Sequence, residues 1–221
     1  MSQYEMGTTF EGLLANEAAY FKEAERLREK YEAKLNIPIG FETDWIRPSS
    51  LSLINASLDK FPFDYFVGSV HHVHTIPIDF DRDMYVRARD ASEGGTDEKL
   101  FEDYFDGQLD MLKALKPPVV GHFDLLRLKS DDPERSFKQW STVWEKILRN
   151  LDYIAEYGGI VELNSASLRK GLSEPYPKAE ICKVRYRINS IPLFRLIGTF
   201  PALTSGCTGI PRQKRTILSI R

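Results

Sequence analysis

The four histidines of this chain, His71, His72, His74 and His122, each stand at or just after the end of an apolar run. Glu42 closes another such run, IPIGFE (37–42), and Asn164 closes GIVELN (159–164). A carboxylate and several imidazoles delivered to one rim by successive strands can surround a divalent cation, a ligand set that suits zinc, iron or manganese. Histidines that only satisfy hydrogen bonds beside a strand give the same pattern, so spacing alone leaves both readings open. Arg169 and Lys170 follow soon after Asn164. A planar guanidinium beside an ammonium is either a receiver for a phosphate monoester or a pair of solvated loop charges.

The elements that would position these residues alternate along the chain. Tyr20, Ala24, Leu27 and Tyr31 recur at helical spacing within 16–34, and the opposite face is charged. A buried strand is expected over 37–42, then a helix opened by Pro48 and carrying Leu51, Ile54 and Leu58. DYFVGSV (64–70) reads as the second strand and is followed by a long polar stretch. Thr96, Asp97 and Glu98 cap a helix with Phe101, Phe105, Leu109 and Leu112 on one face, which Pro117 and Pro118 stop. PVVGHFD (118–124) is the third strand. A helix over about 134–157 presents Trp140, Val143, Trp144, Ile147, Leu151 and Ile154 and ends at Gly158-Gly159 before the fourth strand, 159–164. Apolar strands alternating with helices imply a parallel sheet, hence an α/β barrel or a doubly wound fold. In both, ligands sit at the carboxyl ends of the strands, where Glu42, His71, His122 and Asn164 fall.

Composition narrows the classes further. With 221 residues and 42% hydrophobic side chains the chain can bury one core, which excludes a disordered or collagenous chain. Thirty basic against 32 acidic residues leave a formal charge of −2, so the overall balance indicates neither a nucleic-acid partner nor a membrane surface. Only two cysteines occur, Cys182 and Cys207, which fits a reducing, cytoplasmic setting and no disulfide scaffold. No stretch approaches the roughly 18 apolar residues of a membrane span, and no targeting segment is recognisable.

Four phrases raise the metal reading. IPIGFETDWI (37–46), DYFVGSVHHVHTIPIDF (64–80), PVVGHFDLLRL (118–128) and VELNSASLRKGLSEPYPKAEIC (161–182) resemble, in order, the histidinol-phosphatases of the polymerase-and-histidinol-phosphatase (PHP) superfamily. The resemblance implies a distorted (β/α)7 PHP barrel, of which this chain would be a fragment, with two or three divalent metals at its C-terminal rim. It makes Glu42 the carboxylate that bridges two metals, and His71 and His122 further ligands. These three would act catalytically through the metal, with His72 and His74 in supporting or solvent-facing places and Asp124 structural. Arg169, with Lys170 and Asn164, would bind the substrate phosphate. The implied reaction is hydrolysis of L-histidinol phosphate to L-histidinol and phosphate in histidine biosynthesis. Metals would activate water and clamp the attacking and leaving oxygens, with no phosphoenzyme.

The family also carries an HxH pair on an opening strand and a DxH pair on a late one, and neither stands at that place in this sequence. The expectation is therefore a partial PHP domain over 1–182 that begins beyond the first motifs. After Cys182 the wording changes: 183–221 holds eight basic residues and no acidic one, leaving 22 basic against 32 acidic in 1–182. This tail is expected to be foreign to the family and disordered. A non-catalytic truncated member, a remnant or a binding module, is the alternative to an active phosphatase.

Overall fold

The computed structural model describes residues 9–184 and 194–196. Thr9 caps the first helix, α1 (Phe10–Tyr31), its hydroxyl accepting from the Gly12 N–H at 3.1 Å. Strand β1 (Gly40–Asp44) follows, then helix α2 (Ser50–Lys60) and strand β2 (Tyr65–Ser69). A small antiparallel hairpin, β3 (His72–Val73) and β4 (Ile76–Pro77), turns through His74 and Thr75, both at positive φ. Helices α3 (Arg82–Ala91) and α4 (Asp97–Leu115) lead to the two-residue strand β5 (Val119–Val120). Helix α5 (Ser141–Tyr157), strand β6 (Ile160–Leu163), the one-turn helices α6 (Ala166–Arg169) and α7 (Ala179–Cys182) and strand β7 (Phe194–Leu196) complete the order.

Strands β1-β2-β5-β6-β7 form one sheet in that spatial order, and every pairing in it is parallel. This is the sheet the strand–helix alternation predicts, since only crossovers through helices join parallel neighbours. Phe101, Phe105, Leu109 and Leu112 of α4 and Val143, Ile147, Leu151 and Ile154 of α5 are all buried, as their spacing requires. All of these but Leu109 pack with Val120 and Val161 of the sheet and with Phe123, Leu126 and Phe137 in one core. Polar pins reinforce the helix pair: Asn150 donates to the Phe105 carbonyl at 2.7 Å and Arg149 to Asp106 at 2.8 Å.

Boundaries differ from the sequence expectation in instructive ways. β1 begins at Gly40 rather than residue 37, so Glu42 lies in mid-strand with Asp44 at the end. The longest predicted helix starts only at Ser141, because Trp140 is extended and Phe137–Gln139 makes a separate 3-10 turn. The polar stretch after the second strand contains α3, capped by Asp81 and anchored by only two buried side chains, Tyr85 and Ala88. Among the tail residues, 185–193 and 197–221 lie outside the described part, and with them most of the expected disorder. The backbone of Phe194–Leu196 pairs with Val161–Leu163.

Candidate metal centre

Each crossover returns the chain to the same edge, so the carboxyl ends of β1, β2, β5 and β6 lie side by side. Glu42 comes from β1, His71 from the loop two residues past β2, and His122 from the loop two residues past β5. Gly121 lets that last loop approach. A Cβ there would meet Ser69 Oγ at 2.5 Å and Val67 Cγ1 at 2.9 Å, contacts that only glycine avoids. The ladder also runs one step beyond β5, with the Gly121 N–H donating to the Gly68 carbonyl at 3.0 Å.

These elements bring three predicted residues together. His122 Nε2 lies 2.8 Å from Glu42 Oε1 and His71 Nε2 lies 3.5 Å from the same oxygen. The two imidazole rings are 4.7 Å apart at their centroids. One ligand atom from each of Glu42, His71 and His122 falls within 4.8 Å of the others, and this is the metal-competent group found among the described residues. Ligand atoms about 2.1 Å from a tetrahedral ion stand about 3.4 Å apart. The Glu42–His71 separation matches that edge, and the Glu42–His122 pair stands at hydrogen-bond distance. One carboxylate and two imidazoles with an open fourth position is a donor set found at catalytic zinc, so the residues fit a divalent ion.

The electrostatics agree with an ionised carboxylate in this position. Burial works against charge on Glu42, but the hydrogen bond and charge of His122, with the charge of His71, hold it well below the usual carboxylate range. Burial would lower the pKa of His122, and the hydrogen bond and charge of Glu42 outweigh it, raising the imidazole above its ordinary 6.5. The His122 backbone N–H donates to Glu162 Oε2 at 2.9 Å, which fixes the ring's point of attachment.

The other predicted residues are placed differently. Asn164 donates from Nδ2 to Glu162 at 3.0 Å and accepts the Ala166 N–H at 2.8 Å, so its amide is a strut between β6 and α6. Arg169 and Lys170 are exposed at the end of α6. His72 is buried and faces Asp44, whereas His74 turns away to Asp103 and Ser92. Asp124 is fully buried and accepts from Arg127 Nε at 3.2 Å and the Lys178 N–H at 2.9 Å. Sequence reading left Asp44 without a role and passed over Glu162. Asp44 was detectable, since a residue two positions from Glu42 on a strand shares its face. Glu162 gave no local signal, because its partners arrive from β5 and from the turn after β6.

Comparison with known proteins bears on this geometry. The pattern described as the PHP domain matches residues 4–166 of the chain. The chain belongs to the PHP domain family. It is 44% identical over 166 residues to a probable histidinol-phosphatase of Schizosaccharomyces pombe, covering 75% of this chain and 54% of that protein. It is 37% identical over 140 residues to the histidinol-phosphatase of Saccharomyces cerevisiae, covering 54% of this chain and 42% of that one. The chain thus spans about half the length of the curated relatives it matches. The crystal structure of the hisK protein of Listeria monocytogenes superposes with a TM-score of 0.65 at 26% identity, over 76% of this chain and 65% of that one. The histidinol phosphate phosphatase of Lactococcus lactis, solved with zinc, L-histidinol and phosphate, has a TM-score of 0.54 at 24% identity, over 66% of this chain and 53% of that one. The parallel sheet with its rim cluster is accordingly a portion of a PHP barrel.

Proposed function

We propose that this PHP domain is a metal-dependent phosphatase that hydrolyses L-histidinol phosphate to L-histidinol and phosphate. The observation that carries the reading is the convergence of Glu42, His71 and His122 on one another, with the S. pombe and S. cerevisiae relatives as its support for the substrate. Glu42, His71 and His122 would hold the ion, and zinc, iron and manganese all suit them. Bound there, a divalent ion supplies Lewis acidity toward a phosphoryl oxygen and the attacking water. The chain's own residues do the rest. Glu42 keeps its charge despite burial, and the backbone bond to Glu162 holds His122 on the rim. Arg169 and Lys170, exposed at the end of α6, would receive the phosphate oxygens, with Asn164 stiffening the turn that carries them. The recognised partner is a small phosphate monoester rather than nucleic acid or membrane, and no described helix is long and apolar enough to cross a bilayer. A cytoplasmic location accords with the sparse cysteines.

A non-catalytic family member is the second reading, favoured by one observation: the cluster among the described residues offers three protein ligands, fewer than a pair of ions would need. Phosphate release from L-histidinol phosphate separates the two. The chain loaded with zinc or manganese should release inorganic phosphate, and a chelator should stop it. No release from metal-loaded, folded chain would establish the second reading.

A further inference from the structure

Asp44 stands two residues beyond Glu42 on β1, so strand alternation turns both carboxylates to one face. Its two oxygens face two different imidazoles. Oδ1 lies 3.4 Å from His71 Nδ1 and also accepts the His71 backbone N–H at 3.4 Å. Oδ2 lies 3.1 Å from His72 Nδ1. The Asp44 side chain is 12% exposed and that of His72, the first residue of β3, is 2% exposed. The opposite nitrogen of His71, Nε2, is the one directed at Glu42.

A neutral imidazole carries one proton on one nitrogen; both nitrogens of His71 face a carboxylate, but Glu42 Oε1 is already engaged by His122 at 2.8 Å, so Asp44 is the acceptor that keeps the proton on Nδ1. A proton at His71 Nδ1 leaves a lone pair at Nε2 pointing into the Glu42–His122 cluster, the form a metal requires. The opposite tautomer would present N–H to the ion and could not bind it. We propose that Asp44 is a positioning residue that fixes the tautomer and ring orientation of His71 toward the metal, and that the buried His72 holds Asp44 in the rotamer for this task. The proposal rests on the metal reading above. It gives the adjacent pair His71-His72 a division of labour, one ring on the ion and one on the carboxylate behind it.

Two measurements test it. Nitrogen-detected NMR of histidine-labelled apo chain at pH 8.5 should find the His71 proton on Nδ1. In Asp44→Asn and Asp44→Ala the ring should pass to a mixed or Nε2-protonated state. Titration of the same proteins with Zn2+ should show affinity lowered by about 10- to 100-fold in both variants, the range set by partners that orient a metal-binding imidazole. Wild-type His71 protonated on Nε2 overturns the proposal without recourse to any variant. Folded Asp44 variants with unchanged tautomer and unchanged Zn2+ affinity also overturn it. A tautomer that responds to Asp44 in a chain that binds no Zn2+ upholds the positioning of the ring and brings down the metal reading instead.

Discussion

At Glu42 Oε1 two imidazole nitrogens converge from separate loops, and this single atom is where fold and chemistry meet. Removing it leaves two neutral rings that have nothing anionic to share with a cation. Glu42→Ala should therefore lower metal-dependent phosphate release by more than about 100-fold, beyond what loss of an orienting partner causes. His74→Ala should leave release within about twofold, because its ring is spent on Asp103 and Ser92 outside the cluster. Initial rates at saturating metal check both. The histidines also show what residue type and spacing convey. His71 and His122 stood out because each follows an apolar run; spacing alone gave His72 the same standing, and the family resemblance set it apart in a supporting or solvent-facing place. The structure decides between the two places left open for His72, which is buried against Asp44 rather than facing solvent.

Elements with a strong apolar stripe were readable from the sequence, and those held by polar contacts were not. Helices α4 and α5 bury most positions that helical spacing marks, with Trp144 half-buried and Trp140 left outside the helix. Helix α3 escaped because its burial rests on Tyr85 and Ala88 alone, while Asp81 supplies the cap and the Tyr85 hydroxyl donates to Asp97 at 3.0 Å. The segment that follows α6 is likewise held by polar ties from a distance. Arg127, almost fully buried, donates to Asp124, to the Glu174 carbonyl at 2.7 Å and to the Pro175 carbonyl at 2.9 Å. Arg127→Ala strands the buried Asp124 charge as well as these carbonyls, so it should cost about 3–5 kcal/mol in urea unfolding. A loss below about 1 kcal/mol would contradict this account of the segment.

Glu134 adds a pH-dependent tie to the same segment, accepting the Ser173 N–H at 3.0 Å and its hydroxyl at 2.7 Å. Burial opposes its charge, but the Ser173 bonds and the charge of Arg127 prevail, so the folded pKa lies below the ordinary 4.5. A carboxylate with a lowered folded pKa stabilises above its unfolded value and loses that contribution as pH falls through the folded one. Protection of the Ser173 amide from hydrogen exchange should hold at neutral pH and decline below about pH 4.5, and Glu134→Gln should flatten that dependence.

On the scale of the whole molecule, a parallel sheet of β1-β2-β5-β6-β7 sets four neighbouring carboxyl ends beside one another, and three of them supply the cluster. The strand and helix order was readable because each crossover helix has an apolar face to return to the sheet. The tail was not, since its residues offer neither a matched stripe nor a described environment beyond the pairing at 194–196. What the sheet assembles is a three-residue cation site, and equilibrium metal content measures it directly. Chain dialysed against micromolar Zn2+ and assayed by elemental analysis should retain bound zinc. Glu42→Ala, His71→Ala and His122→Ala should each lose it, while His74→Ala should keep it. Zinc retained at the wild-type level by folded protein lacking all three of Glu42, His71 and His122 would contradict the account.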